Sequence, residues 1–246
     1  MIVSLILSCF LAFSPACDRQ TVDPLGHFYQ WEGSNLTKIR GGETMYFSKP
    51  EWGSIAAVNA SNPNYVVLYF PEARGFVVLN RDLVQTQDPI NLAGLEATGP
   101  VKSWAVNAQG QLWVYLELTK QLWVYDLRQK RITQTIDLLP ILRSSDEVRE
   151  LQVDLSQVVI ALENGDYLLC NPLGILKQRL SLGELGLSWS QGKAYAFQGG
   201  ELKQYDPQLR RWELLKPDLP EPCHFLILNQ GLYLWTKPGK PQVFHW

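Results

Sequence analysis

Short runs of apolar residues, rich in Val, Tyr, Trp, Leu and Phe, recur from about residue 23 to the end of the chain. Gly, Pro, Asn or Asp bounds each run. Such runs are typical of β-strands separated by turns. Only residues 138–143 have the pattern of a turn or two of helix, and Pro140 interrupts them. The pattern therefore predicts a nearly all-β chain. It argues against an α/β fold, because such a fold needs helices that this sequence does not predict.

The apolar runs repeat as a strand, a turn and a second strand. The sequence QLWVY at residues 111–115 recurs at residues 121–125, and residues 116–120 form the turn between them. A polar residue after the second strand recurs at intervals of 35 to 46 residues, at Arg40, Asn80, Asp126, Asn171, Asp206 and His245. A repeat of about 40 residues with about four strands is the signature of a β-propeller blade. The sequence predicts a six-bladed β-propeller, in which the Asn and Asp side chains at these positions bond turn amides locally.

The third and fourth copies show the four-stranded unit most completely. The predicted strands are 101–107, 111–115, 121–126 and 131–137 in the third copy, and 148–155, 158–163, 166–171 and 175–181 in the fourth. The last copy has three, at 225–228, 232–236 and 242–245. A three-stranded last blade would leave an unpaired strand edge, which proteins usually cover. We therefore expect either that residues 19–23 pair with the last blade, or that the first blade, 27–49, packs against it face to face.

Several predicted strands are apolar at successive positions, as in residues 65–70 and 112–115. Both faces of such a strand need burial, and blades stacked face to face provide it. The alternative fold is a two-sheet β-sandwich, which would show a cleaner alternation of inward apolar and outward polar positions.

The N-terminal segment reads as an export signal. The apolar run at residues 2–13 is shorter than the roughly 20 residues that span a bilayer as a helix, and Ser14, Pro15, Ala16 and then Cys17 follow it. We expect a signal peptide at 1–16 and one propeller domain at 17–246. The segment resembles a bacterial lipoprotein signal, which implies lipidation of Cys17 and a place in the periplasm or at the outer membrane. The alternative is an ordinary secretory signal with an incidental cysteine.

Charge and cysteine content exclude several function classes. The 22 Lys and Arg residues nearly balance the 24 Asp and Glu residues, without a block of like charge. This argues against nucleic-acid binding and against a polybasic membrane patch, so membrane contact is expected through a lipid on Cys17. Beyond Cys9 and Cys17, the remaining Cys170 and Cys223 make no disulfide framework. One bridge between them is the alternative, but the repeat places them in different blades, so we predict two buried thiols.

The sequence predicts no catalytic, cofactor-binding or metal-binding residues. His27, His224 and His245 are scattered and lack Cys or carboxylate partners at ligand spacing. An acidic group is interleaved with arginines, which favours a solvated, mutually neutralising loop; its members are Arg143, Asp146, Glu147, Arg149 and Glu150.

The blade pattern resembles β-propellers generally. With export and lipidation, the chain is similar to bacterial envelope propeller lipoproteins, such as the scaffold subunit of the outer-membrane barrel-assembly machinery. The resemblance is architectural, since repeated Trp-Asp endings, double-Gly kelch signatures and tryptophan-docking motifs are absent. It implies a fold and a scaffold role without assigning site residues.

We therefore expect a non-enzymatic envelope scaffold that binds another envelope protein through one rim of the propeller. Trp52, in the connection 50–53, is expected to expose its ring, and Arg74 and Arg143 are the other candidate contacts. The alternative is a propeller that binds a glycan or small ligand through some of its nine tryptophans, with Trp31, Trp52, Trp104, Trp189 and Trp235 as candidates. An enzyme of the lyase or glycosidase type is a further alternative.

Overall fold

The computed structural model describes residues 19–62, 64–95, 99–183, 187–190, 192–206, 209–222, 224–228 and 231–245. These residues form six antiparallel sheets arranged as a ring, which confirms the predicted six-bladed β-propeller. Five sheets have four strands, and the sixth has three within the described part of the chain. Strands follow one another in chain order within each blade, and the first strand of the blade lies nearest the axis.

The strands of the first three blades are β1 (Gln20–Val22), β2 (Phe28–Glu32), β3 (Asn35–Arg40) and β4 (Glu43–Ser48); β5 (Ala57–Asn62), β6 (Tyr65–Phe70), β7 (Gly75–Leu79) and β8 (Ile90–Asn91); and β9 (Val101–Val106), β10 (Gln111–Leu116), β11 (Gln121–Asp126) and β12 (Arg131–Asp137). Those of the last three are β13 (Val148–Val153), β14 (Val158–Leu162), β15 (Asp166–Cys170) and β16 (Leu176–Ser181); β17 (Leu187–Ser190), β18 (Lys193–Gln198), β19 (Glu201–Asp206) and β20 (Arg211–Lys216); and β21 (His224–Leu228), β22 (Gly231–Trp235) and β23 (Gln242–His245).

Strand β10 shows why successive apolar positions build this fold. Leu112 and Val114 pack into the cluster shared with blade 2. Trp113 and Tyr115 point the other way and pack into the cluster shared with blade 4. All four side chains are buried, so both faces of the strand contribute to the core, as the sequence predicts for stacked blades rather than for a sandwich.

Two local expectations differ from the structure. The sequence predicts a fourth strand of blade 2 at residues 84–91, and in the structure this strand is reduced to β8 and an isolated bridge between Leu79 and Gln85. Residues 138–143 form turns in which Leu138 O accepts hydrogen bonds from Ile141 N and Leu142 N, and they do not continue into a helix. A 3₁₀ turn forms instead at Pro50–Trp52, where proline at its first position suits the fixed φ of a helix start.

Ring closure follows the second of the two expected routes. Strand β1 pairs antiparallel with β2 inside blade 1, with Val22 opposite Phe28, so pairing of residues 19–23 with the last blade is wrong. The turn between β1 and β2 is short and capped by Asp23, whose Oδ1 accepts hydrogen bonds from Leu25 N and His27 N at 2.9 Å. A local hairpin of this kind costs less loop-closure entropy than pairing across the whole chain.

Face-to-face packing joins the last blade to the first. Trp235 of β22 is only 1% exposed and forms one core cluster with Val22 and Phe28. One hydrogen bond also crosses this boundary, because Gly239 N donates to Oε1 of Gln20 at 2.9 Å. The boundary between the chain ends is thus closed by an apolar cluster of the same kind as the other blade boundaries.

Candidate functional site

The antiparallel order of strands divides the connections of the ring between its two faces. Turns from the first to the second strand and from the third to the fourth strand of a blade lie on one face. Turns from the second to the third strand, and the connections between blades, lie on the opposite face, which we call the connection face.

Asp or Asn begins most turns of the first set, and its side-chain oxygen accepts hydrogen bonds from backbone N–H groups of the turn. We call this side of the ring the Asx face, defined by the turns that begin at Asp23, Asn62, Asn80, Asn107, Asp126, Asp154, Asn171 and Asp206. Asn171 Oδ1, for example, accepts from Leu173 N at 3.0 Å and from Ile175 N at 2.9 Å. The expectation that Asn80, Asp126, Asn171 and Asp206 bond turn amides is confirmed.

Exposed aliphatic side chains are concentrated on the Asx face. Six of them lie in its turns, each 58% to 65% exposed: Leu25, Val84, Leu155, Leu173, Ile175 and Leu209. Among the described connections of the opposite face, the exposed large aliphatics are Leu118 and Leu139. Apolar side chains exposed together on one side are more typical of an interaction surface than single ones, so the Asx face is the candidate interaction surface of the ring.

The three residues singled out from the sequence all lie on the connection face. The Trp52 ring was expected to be exposed, but it is half-buried and packs edge-on against Phe70, with ring centroids 5.9 Å apart. Lys49 Nζ lies 5.5 Å from the centroid of the same ring. A Cβ at Gly75 would lie 2.7 Å from the ring, so glycine at that position makes room for it. Trp52 therefore fastens its connection to blade 2.

Arg74 and Arg143 are both exposed and belong to different blade junctions. Arg74 has a φ of 48° and donates from Nη2 to Gly99 O at 3.0 Å, across to the connection that leads into blade 3. The structure brings Arg74 near Trp52, because the Trp52 ring lies against Gly75, the next residue in the chain. Arg143 lies in the connection that leads into blade 4, so the three residues do not form one cluster.

The sequence predicts that the acidic group before β13 is solvated, and for Asp146 this prediction is wrong. Its side chain is fully buried and lies 2.6 Å from Nη2 of Arg179, a residue of β16 outside the sequence cluster. Nη1 of the same arginine lies 2.9 Å from Oδ2 of Asp166. Burial alone would raise the pKa of Asp146, but hydrogen bonds from Arg179 and from the Arg143 backbone hold that pKa below its usual range. The partner is distant in sequence, so local charge spacing could not reveal it.

A second buried polar group stands under the first turn of the Asx face. Oδ2 of Asp23 lies 2.8 Å from Nδ1 of His27 and accepts a hydrogen bond from the Tyr29 hydroxyl at 3.0 Å. The fully buried Lys38 donates to Arg81 O at 2.5 Å, and burial lowers its pKa although Asp23 lies 4.0 Å away. These contacts tie blade 1 to a turn of blade 2, which is a structural role.

Polar side chains link the first strands of successive blades around the axis. Ser61 Oγ donates to Val106 O at 3.0 Å, Ser103 Oγ accepts from Leu151 N at 2.8 Å, and Gln152 accepts from Trp189 N at 2.8 Å and donates to Leu187 O at 3.2 Å. In the described part of the chain, the innermost strands have no further strand on their axial side, so these side chains provide hydrogen-bond partners for their backbone groups.

The first strands also line an axial cavity of about 610 Å³. Its described lining includes the carboxyl groups of Glu150 and Asp154, the imidazole of His224, and the indole rings of Trp104 and Trp189. Glu150 was grouped with the solvated loop, although it also lies in the predicted strand 148–155; it belongs to β13 and lines this cavity. The signal for this placement is the alternation of polar residues at 150, 152 and 154, since alternate residues of a strand share a side. In the described ranges, no group of three or more His, Cys, Asp or Glu side chains is arranged to hold a metal ion.

Residues 1–16 and Cys17 lie outside the described residues, as does Cys223. Cys170 is a buried thiol without a disulfide, as predicted, and burial raises its pKa to about 11. A search of the described residues finds no helix with the length and apolar character needed to cross a membrane.

Among the comparisons with known proteins, only solved structures are similar to this chain. No protein-family model matches the chain, and no curated protein matches its sequence. A solved structure described as a streptogramin B lyase structure is similar, with a TM-score of 0.58 and 12% identity over 95% of this chain and 85% of that one. A crystal structure of HIRA(644-1017) has a TM-score of 0.45 and 16% identity over 80% of this chain and 55% of that one. At these identities, the likeness to the lyase shows the propeller fold alone.

Proposed function

We propose that this protein is an exported, non-catalytic scaffold of the bacterial envelope that binds another protein through its Asx face. The observation that carries the proposal is the set of six exposed aliphatic side chains on that face. Leu173 and Ile175, 65% and 60% exposed, follow the same Asx turn in blade 4. A ring whose turns are fixed by their own side chains presents such residues with little conformational entropy to lose on binding.

The charges of the same turns define the partner further. Exposed basic side chains lie in the turns from third to fourth strands: Arg81, Arg128, Lys130 and Arg210. Asp82 and Asp88 are the exposed acidic residues among the described parts of these turns, apart from the Asx residues themselves. A partner surface with apolar side chains bordered by carboxylates fits this combination.

The expected lipid anchor is compatible with this orientation. Strand β1 runs from the connection face towards the Asx turn at Asp23, and Gln20 begins it three residues after Cys17. A lipid on Cys17 would hold the connection face, with Trp52, Arg74 and Arg143, towards the membrane. The Asx face would then point away from the bilayer and stay open to a partner.

The test compares two pairs of substitutions with equal chemistry on opposite faces. Leu173→Glu with Ile175→Glu changes the Asx face, and Leu118→Glu with Leu139→Glu is the matched control on the connection face. Each protein is crosslinked in intact cells and its adducts are compared. The proposal expects one adduct that is lost in the Asx-face variant and retained in the control. Loss only in the connection-face variant, or in an Arg74→Ala or Arg143→Ala variant, would assign binding to the sequence-predicted contacts instead.

Small-ligand binding is the second candidate function, and the axial cavity favours it. Two half-buried tryptophans and several amide and carboxyl side chains line that cavity, which is the composition expected of a ligand pocket. A lyase or glycosidase function would have to use the same cavity, and the likeness to the streptogramin B lyase structure, at 12% identity, gives it no residue-level support.

A further inference from the structure

The axial cavity has the size and the charge of a small-molecule site. Its volume of about 610 Å³ lies within the range of about 300 to 1,000 Å³ found for ligand pockets. The first strands of blades 2 to 6 line it. Its described lining contains the carboxyl groups of Glu150 and Asp154 and no Lys or Arg. The described lining therefore carries acidic side chains without a basic Lys or Arg, and an anionic ligand would be repelled.

Glu150 is the carboxyl group that a ligand can reach. Its side chain is open to the cavity, and its Oε1 accepts a hydrogen bond from Gln152 Nε2 at 2.6 Å. Asp154 is already engaged, because its Oδ1 accepts from the backbone of Ser156 and Gln157.

Glu150 has no ion-pair partner in the described part of the chain. The nearest cation in sequence is Arg149, whose Nη2 donates to the Tyr167 hydroxyl at 2.9 Å. The Glu150 carboxyl stays open to the cavity, and the protein atoms around the cavity raise its pKa, against the opposing effects of Gln152 and Arg149. A cation that enters the cavity would favour the charged form of this carboxyl.

Two tryptophans stand on the strands on either side of Glu150. Trp104 is in β9 and Trp189 is in β17, while Glu150 is in β13 between them, and all three side chains line the cavity. Trp104 is fixed by edge-on packing against Phe76, with ring centroids 5.1 Å apart, and Trp189 packs against Tyr167 at 6.4 Å. Indole faces attract cations, most strongly where water is excluded.

We propose that the axial cavity binds a small organic cation, of the quaternary ammonium class, between Trp104 and Trp189 with its charge near Glu150. A neutral sugar could stack on the same rings, but it would leave the Glu150 carboxylate without a counter-charge. The proposal is independent of partner binding at the Asx face, because it uses a different surface.

Isothermal titration of the purified protein with choline chloride tests this proposal. The controls are sodium chloride at equal ionic strength, glucose, and 3,3-dimethyl-1-butanol, in which carbon replaces the charged nitrogen of choline. We expect choline to bind and the three control solutes not to bind. Binding of glucose instead, equal binding of the neutral isostere, or absence of choline binding would overturn the proposal.

Matched variants locate the site. Glu150→Gln keeps the shape of the side chain and removes its charge, so choline affinity should fall at least about tenfold. Glu147→Gln, an exposed carboxylate three residues earlier on the connection face, should leave the affinity unchanged. Trp189→Leu should also weaken binding. Thermal melts show whether each variant is folded, and a folded Glu150→Gln protein that binds choline like the wild type would contradict the proposal.

Discussion

Arg179 and Asp146 form a buried ion pair that fastens the connection between blades 3 and 4 to the outermost strand of blade 4. Nη2 of the arginine lies 2.6 Å from Oδ2 of the aspartate, whose side chain has no exposed surface. The connection itself is a set of turns without regular secondary structure. Its position on the connection face therefore depends on this pair and on the apolar contacts of Leu138.

Asp146→Asn should destabilise the folded protein by about 2 to 3 kcal/mol. The substitution removes a charge from a buried pair and leaves Arg179 with Asp166 as its counter-ion. Urea unfolding measures the loss. Glu213→Gln, which breaks the exposed pair with Arg211, is the control and should cost less than about 1 kcal/mol. Equal effects of the two substitutions would contradict a special role for the buried pair.

The same substitution should alter the pH dependence of stability. The folded-state pKa of Asp146 is lowered, so its contribution is present above the unfolded-state pKa of about 3.9 and is lost as pH falls through the folded-state pKa. Unfolding free energy measured between about pH 5 and pH 2 should therefore fall less steeply in Asp146→Asn than in the wild type. Parallel pH profiles would show that Asp146 does not titrate as this geometry requires.

Glu150→Gln should stabilise the protein at pH 7. The folded-state pKa of Glu150 is raised by desolvation, so its favourable contribution is present below the unfolded-state pKa of about 4.3 and is lost as pH rises through the folded-state pKa. The melting temperature of the variant should exceed that of the wild type at pH 7, and the two should converge below about pH 4. A lower melting temperature at pH 7 would mean that the carboxylate is stabilised in the empty cavity.

Trp235→Ala should destabilise the whole ring, because the indole fills the boundary between the last and the first blade. Loss of a buried tryptophan typically costs about 3 to 5 kcal/mol. Chemical denaturation followed by circular dichroism provides the measurement. Val243→Ala, at a side chain that is 46% exposed on β23, should cost less than about 1 kcal/mol. A small effect of Trp235→Ala would show that closure does not depend on this cluster.

Mass spectrometry of the mature protein tests lipidation of Cys17. We expect an N-terminal peptide that begins at Cys17 and carries the mass of a lipid modification, because the apolar run ends in small residues and polar residues follow. Cys17→Ser should abolish the modification and release the protein from membranes. An unmodified N-terminus at Asp18 or beyond would contradict lipidation and support an ordinary secretory signal.

The blade pattern was predictable because it is local. Each strand carries its own apolar run and each turn its own Asn or Asp, so strand β10 and the turn at Asn171 could be placed without knowing what they contact. The number of blades followed from counting the copies of the repeat along the chain. The position of β1 was not predictable in the same way, because a three-residue strand carries too little pattern to choose between two neighbouring sheets.

The candidate sites were harder to predict because they depend on distant neighbours. The burial of the Trp52 ring depends on Phe70 and Gly75, and the burial and pairing of the Asp146 carboxylate depend on Arg179. In both cases the partners are far away in the sequence. Glu150 looked like part of a charged loop because its neighbours in sequence are charged. Its actual surroundings are set by strands β9 and β17, which flank β13 around the axis.

The Asx turns have a consequence for how this protein can change over generations. Each turn is closed by hydrogen bonds that the side chain of its own first residue accepts from turn N–H groups. The exposed side chains at positions such as Leu25, Leu155 and Leu173 therefore contribute little to folding. Substitutions there are nearly free of a stability cost. The ring is thus a modular frame on which recognition can diversify one turn at a time, while the blades beneath remain under the separate constraint of packing.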